Sequence, residues 1–210
     1  MTATNDSKQA QRNIPNNIDT EFAKPLSYYE TKQVEWLWTG RVPYGCVTIL
    51  EGDGGVGKSF LIASIGAAVS TGVTLPDCTV ERRPQGVLLL AAEDDPSVVL
   101  RPRFEAHSAN LDLVWCHDQA MLLDKKGLEK LKNEIISREL GLVIIDPIVS
   151  FIGQKIDTSV ATDVRSFMGP LHEIARQYNC AIIVLRHWNK NTTASAAHRG
   201  SGSVDFRNAA

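Results

Sequence analysis

At 210 residues, with 43% apolar and 22% charged side chains, the chain is long enough to bury one sizeable core. A formal charge of −2 and a pI of about 6.2 exclude the broad basic field of a polyanion-coating protein, so any nucleic-acid contact has to be local. No apolar run approaches the roughly 18 residues of a membrane span, the amino terminus lacks a charged-then-apolar signal, and four scattered cysteines form no C-x-x-C pair, so a cytoplasmic chain with reduced thiols and no membrane partner is expected.

Residues 1–25 are polar, rich in Asn, Thr and Gln, and lack apolar periodicity; they are expected to form a disordered arm ahead of a single domain over 26–210. Trp36, Trp38 and Tyr44 come next, and two tryptophans at alternate positions point to side chains that cover a sheet edge rather than to a nucleotide site. From residue 47 short aliphatic runs alternate with helical stretches. Strands are predicted over 47–52, 86–92, 112–116, 141–146 and 181–186, and helices near 58–71, 96–107, 125–139 and 161–178. Runs such as VLLL and LVII are apolar on both faces, which suits strands covered by helices on each side. The expected fold class is therefore α/β, a three-layer core with a mainly parallel sheet.

Between the first of these strands and the first helix lies Gly52-Asp53-Gly54-Gly55-Val56-Gly57-Lys58-Ser59, which fits G-x-x-x-x-G-K-[ST] in the strand-to-helix context that pattern requires. Glycines let backbone N–H groups wrap a triphosphate, the helix amino terminus adds its dipole, Lys58 reaches the β and γ phosphates, and Ser59 can ligate Mg²⁺. ATP and Mg²⁺ are the expected ligands, with Phe60 closing the phosphate-binding set. Leu142-Val143-Ile144-Ile145-Asp146 is four aliphatics ending in an acid, and at the carboxyl end of a parallel strand Asp146 would emerge beside the phosphates and hold Mg²⁺, partly through water. The strand GVLLLAA leads into three acids, Glu93, Asp94 and Asp95. One of the two aspartates is expected to cap the next helix, and Glu93 is the candidate base that orients water.

The set VEWLWTGRVPYGCVTILEGDGGVGKSFL, LLLAAEDD, LVIIDPIVSF and LRHWNKN with HRGSGSVDFRNAA resembles the RecA-type P-loop ATPases, and more closely their RepA and DnaB-like hexameric helicase branch of plasmids and prophages, often described simply as AAA-family ATPases. The resemblance runs from about Val34 to the last residue. It implies a RecA-like core in which Glu93 polarises the water and His187, closing the strand after the Asp146 strand, senses the γ-phosphate; on residue type alone His187 would be a solvated turn residue. It further implies that the loop after His187 lines a channel and touches DNA, with Lys190 as a contact, and that Arg199, in an R-G-S element, acts near the neighbouring subunit's nucleotide. Taken singly, a loop Arg is simply solvated. Arg186, Lys190, Arg199 and Arg207 stand against Asp205 alone over residues 186–210, so positive charge gathers where that reading wants it. The segment 151–164 resembles the other DNA-facing loop of such rings; Lys155 either meets a phosphate there or stays solvated.

Single-stranded DNA and a homo-oligomeric ring, a hexamer by the resemblance, are the implied partners. RecA-type cores continue past the R-G-S element, so the last strands are expected to be missing and the domain incomplete at its carboxyl end. The rival reading is a nucleotide-switched regulatory or partition ATPase without motor action; dimeric partition ATPases carry an extra lysine at the start of the phosphate loop, where this chain has Asp53. A small-molecule kinase would want an Arg-rich lid and an acceptor pocket, and neither is legible.

Overall fold

A computed structural model describes residues 23–79, 82–119, 121–153, 156 and 160–187, the side chains of Ala161 and His187 excepted. The chain divides into two compact units, Met1–Gln33 and Val34–Ala210. In the first, a 3-10 turn spans Leu26–Tyr28, the Lys24 ammonium lies 4.1 Å over the Tyr28 ring, and Tyr28 and Tyr29 meet edge to face. Residues 1–22 of the expected arm lie outside the described residues.

The second unit opens with an antiparallel hairpin, β1 (Trp36–Trp38) and β2 (Val42–Pro43). The two tryptophans therefore belong to a small sheet of their own, and Trp38 is packed against the core on one face of the large one. Leu37 between them is fully buried, Trp36 is exposed, and the Trp38 indole N–H donates to the Pro76 carbonyl at 2.8 Å under the Arg41 guanidinium.

Next come β3 (Val47–Gly52), α1 (Lys58–Thr71) and β4 (Gly86–Ala91). A helix then starts as a wide π-type turn over Pro96–Leu100 and tightens into α2 (Arg101–Ala106). β5 (Val114–His117), α3 (Lys125–Ser137), β6 (Leu140–Asp146), α4 (Ala161–Tyr178) and β7 (Ala181–His187) complete the described chain. β5 begins two residues later than its aliphatic run suggests, because the Asn110 side chain accepts the Asp112 N–H and folds Leu111–Leu113 into a 3-10 turn. α3 stops short of its predicted end because Glu139 takes a left-handed φ of 48° to turn the chain into β6.

The sheet order is β3-β7-β6-β4-β5, with every pairing parallel. Period-two alternation sends β6 side chains to both faces: Leu142 and Ile144 join the α1 side with Ile62, Ile65 and Phe104, while Val143 and Ile145 join the α3 and α4 side with Leu131, Phe167 and Leu171. This is the three-layer α/β core that the apolar runs predict. α3 and α4 are amphipathic, one face in and one face out. α1 is apolar nearly all round because it is wedged between the sheet and α2, where Gly66 brings its backbone against the Phe104 ring. Cys180, at the entry to β7, is fully buried, and burial pushes its thiol up to about 12.

Candidate functional site

Because all five strands of the sheet run the same way, their carboxyl ends share one edge, and the residues with chemistry lie along it. β3 delivers Gly52, and residues 53–57 turn the chain into α1. Gly55 (φ 77°) and Gly57 (φ 91°) occupy left-handed conformations that an L side chain adopts only under strain, and a Cβ at Gly54, Gly55 or Gly57 would meet nothing within 4 Å. The loop is thus a rim of backbone open for approach, closed by glycines where curvature demands it. The Leu61 N–H makes a bond of 3.0 Å to the Gly57 carbonyl, so the amides just before it form the helix amino terminus and have no intrahelical acceptor.

Lys58 is only 7% exposed. Its ammonium donates to the carbonyls of Gly52 (2.9 Å) and Asp53 (2.7 Å), which folds the side chain back across the loop and leaves one of three N–H donors for an anion. Ser59 is half-buried in the first turn; Val56 and Phe60 beside it are well exposed.

Sheet register places the other members. Ile145 pairs with Val184, and Val184 with Ile49, so Asp146 leaves the sheet one residue past that row, and Gly52 and His187 face each other three residues past it. Asp146 is also opposite Ala91, and its carbonyl accepts the Ala92 N–H at 3.2 Å, tying the exit of β4 to the exit of β6. The His187 backbone is therefore beside the phosphate loop, while its side chain is outside the described residues.

The three acids after β4 have three distinct situations. Asp95 is the cap: its Oδ1 accepts the N–H groups of Ser97 and Val98, each at 2.8 Å. Asp94 is paired with Arg103 at 2.9 Å. Glu93 is exposed and, among the described residues, its carboxylate makes no ion pair or hydrogen bond. Lys155, Lys190 and Arg199, with Arg207, lie outside the described residues, so the expected DNA loops and the arginine acting in trans are not part of this geometry.

Two groups escape motif reading. Arg186 is 2% exposed and lies 3.6 Å from the Glu51 carboxylate, a buried pair directly across β7 and β3, one residue before His187 and Gly52. An Arg ending the run AIIVLR opposite the next-to-last residue of VTILEG, an acid, is the only trace of it in the sequence. Arg103 is the other, and no spacing rule links it to Asp94.

Among the described residues no cluster of three His, Cys, Asp or Glu side chains could hold a metal unaided. A hydroxyl and one carboxylate, Ser59 and Asp146, are a donor set suited to Mg²⁺, which takes one or two protein oxygens together with phosphates and water. A groove of about 530 Å³ between α3 and α4, lined by Leu128, Phe167, Pro170 and Ile174, shares no residue with the phosphate loop.

The profile of the AAA domain family matches residues 15–193. The chain belongs to the AAA domain family. As an AAA domain it is a P-loop nucleotide-binding ATPase domain. No curated protein matches this AAA domain. Among the described residues no helix is long and apolar enough to cross a membrane.

Proposed function

We propose that the chain is a Mg²⁺-dependent ATP-hydrolysing motor of the RecA and RepA helicase type, working as a homo-oligomeric ring on single-stranded DNA in the replication of a phage, plasmid or prophage. The observation that carries the reading is the exposed Glu93 carboxylate on the sheet edge that also carries the phosphate loop, without an ion pair or hydrogen bond among the described residues and next to two aspartates that are both engaged. A hydrolase needs a base that can reach a water, and an exposed, unengaged carboxylate supports that role. The basic residues of 186–210 support the DNA arm of the proposal.

In this mechanism the N–H groups of residues 54–59 and the Lys58 ammonium hold the phosphates. The Gly52 and Asp53 carbonyls keep Lys58 in place at the loop. Ser59 and Asp146 would hold Mg²⁺, which when bound would neutralise phosphate charge. Glu93 takes a proton from a water as its oxygen adds to the γ-phosphorus, and the bond between that phosphorus and the β-γ bridging oxygen breaks to give ADP and phosphate. His187 reports the γ-phosphate to the loop that follows it, and Arg199 of a neighbouring copy stabilises the transition state; such an arginine contributes about three to five orders of magnitude.

ATP turnover with and without single-stranded DNA tests the proposal. Turnover should rise with DNA, and Glu93→Gln should abolish it while sparing ATP binding. If DNA changes neither binding nor rate at low salt, the motor reading fails; if Glu93→Gln turns over normally, Glu93 is not the base.

A further inference from the structure

We infer that Arg103 is a positioning residue for ATP hydrolysis, a clamp that fixes the Glu93 segment to the first turn of the phosphate-loop helix; the inference rests on the proposed role of Glu93. The Arg103 Nη1 donates to Asp94 Oδ2 at 2.9 Å, and its guanidinium carbon lies 5.3 Å from the centre of the Phe60 ring. Phe60 directly follows Ser59, and Asp94 directly follows Glu93. One guanidinium therefore touches the immediate neighbours of both the metal-site hydroxyl and the candidate base.

Three features make this a clamp rather than a surface ion pair. First, the Arg103 side chain is 16% exposed and Asp94 35%, so the pair is partly shielded from water and salt. Second, Arg103 is anchored from behind, because Phe104 next to it is buried against Gly66 of α1. Third, Asp95 is already held by the N–H groups of Ser97 and Val98, so engaging Asp94 as well pins two consecutive residues of the bend. The Glu93 side chain then has a fixed origin and an unencumbered carboxylate. Planarity matters too: a guanidinium can pair edge-on with a carboxylate while lying on an aromatic face, and an ammonium cannot do both.

The test uses the full chain, with a non-hydrolysable ATP analogue for binding and ATP for turnover. Arg103→Ala should bind the analogue within about twofold of wild type and lose about 10- to 100-fold in kcat, the cost of a base misplaced by about an ångström. Asp94→Ala, which leaves Arg103 on Phe60, should do the same and stands in if Arg103→Ala does not fold. The double variant should be no slower than the worse single one, since both remove one clamp. Wild-type kcat in Arg103→Ala, multiplying losses in the double variant, or analogue binding lost in step with kcat would each overturn the inference. Hydrogen exchange keeps the two readings apart: if the wild-type chain binds ATP without hydrolysing it, the proposed function fails, yet faster exchange over residues 92–98 in Arg103→Ala still supports the clamp and unchanged exchange refutes it.

Discussion

Lys58 puts a charge almost out of reach of water and answers it first with backbone: the carbonyls of Gly52 and Asp53 take two of its hydrogens. That arrangement holds the ammonium in place, so in the proposed function a phosphate would meet a donor already desolvated. Arg186 is the second buried cation of this edge, paired with Glu51 at 3.6 Å. Stripping one partner from such a pair costs about 3–5 kcal/mol, so Glu51→Ala should lower the free energy of unfolding by that order in a denaturant titration. Cys180 gives a pH signature. Burial raises its thiol from 9.0 to about 12, so folded and unfolded chains hold its proton alike below pH 9. Above pH 9 the unfolded chain releases it and the folded chain does not, so stability falls by up to about 1.4 kcal/mol per pH unit as pH rises towards 12. Cys180→Ala should flatten that fall relative to wild type in melting curves between pH 8 and about 11.

α1 and α2 meet through a glycine. A Cβ at Gly66 would lie 2.7 Å from the Phe104 ring edge, and the ring is buried. Gly66→Ala should cost about 1–3 kcal/mol by denaturant unfolding, and Phe104→Leu in the same chain should return part of it. Which elements the sequence announces follows from what each one buries. β4, β6 and β7 are aliphatic on both faces, and β3 and α1 flank the glycine motif, so their bounds are legible within a residue or two. β5 sits at the sheet edge and its start is decided by one Asn110 hydrogen bond, which no apolar count detects. The β1–β2 hairpin is too short for periodicity to register. At the site the same division holds: Gly52–Ser59 and Asp146 are legible because backbone curvature and strand ends leave local signatures. The separation of Glu93, Asp94 and Asp95 into a free acid, a paired acid and a cap depends on Arg103 from a later helix turn, a tertiary fact.

For the molecule as a unit, the order β3-β7-β6-β4-β5 sets the phosphate loop, the Asp146 carboxylate and the Glu93 bend along one edge without any of them being near another in the chain. The rim formed by residues 53–57 is open, so an arginine from another copy has access to it. If the proposed assembly holds, turnover per chain should rise with protein concentration and with single-stranded DNA, and Arg199→Ala should flatten both responses while leaving ATP binding near wild type. A rate per chain independent of concentration would argue for a subunit complete in itself.

The pairing of β3 with β7 also has a bearing on how the protein is made. Val47 is laid down early, but its partner across the sheet is Ile182, near the end of the described chain. A ribosome adds roughly 5–20 residues per second, so the nascent chain carries the glycine motif for many seconds before the strand that braces it exists. During that interval the motif is written but not shaped. A loop whose strand is braced by its sheet neighbour is therefore available to nucleotide only after the last described strand has joined.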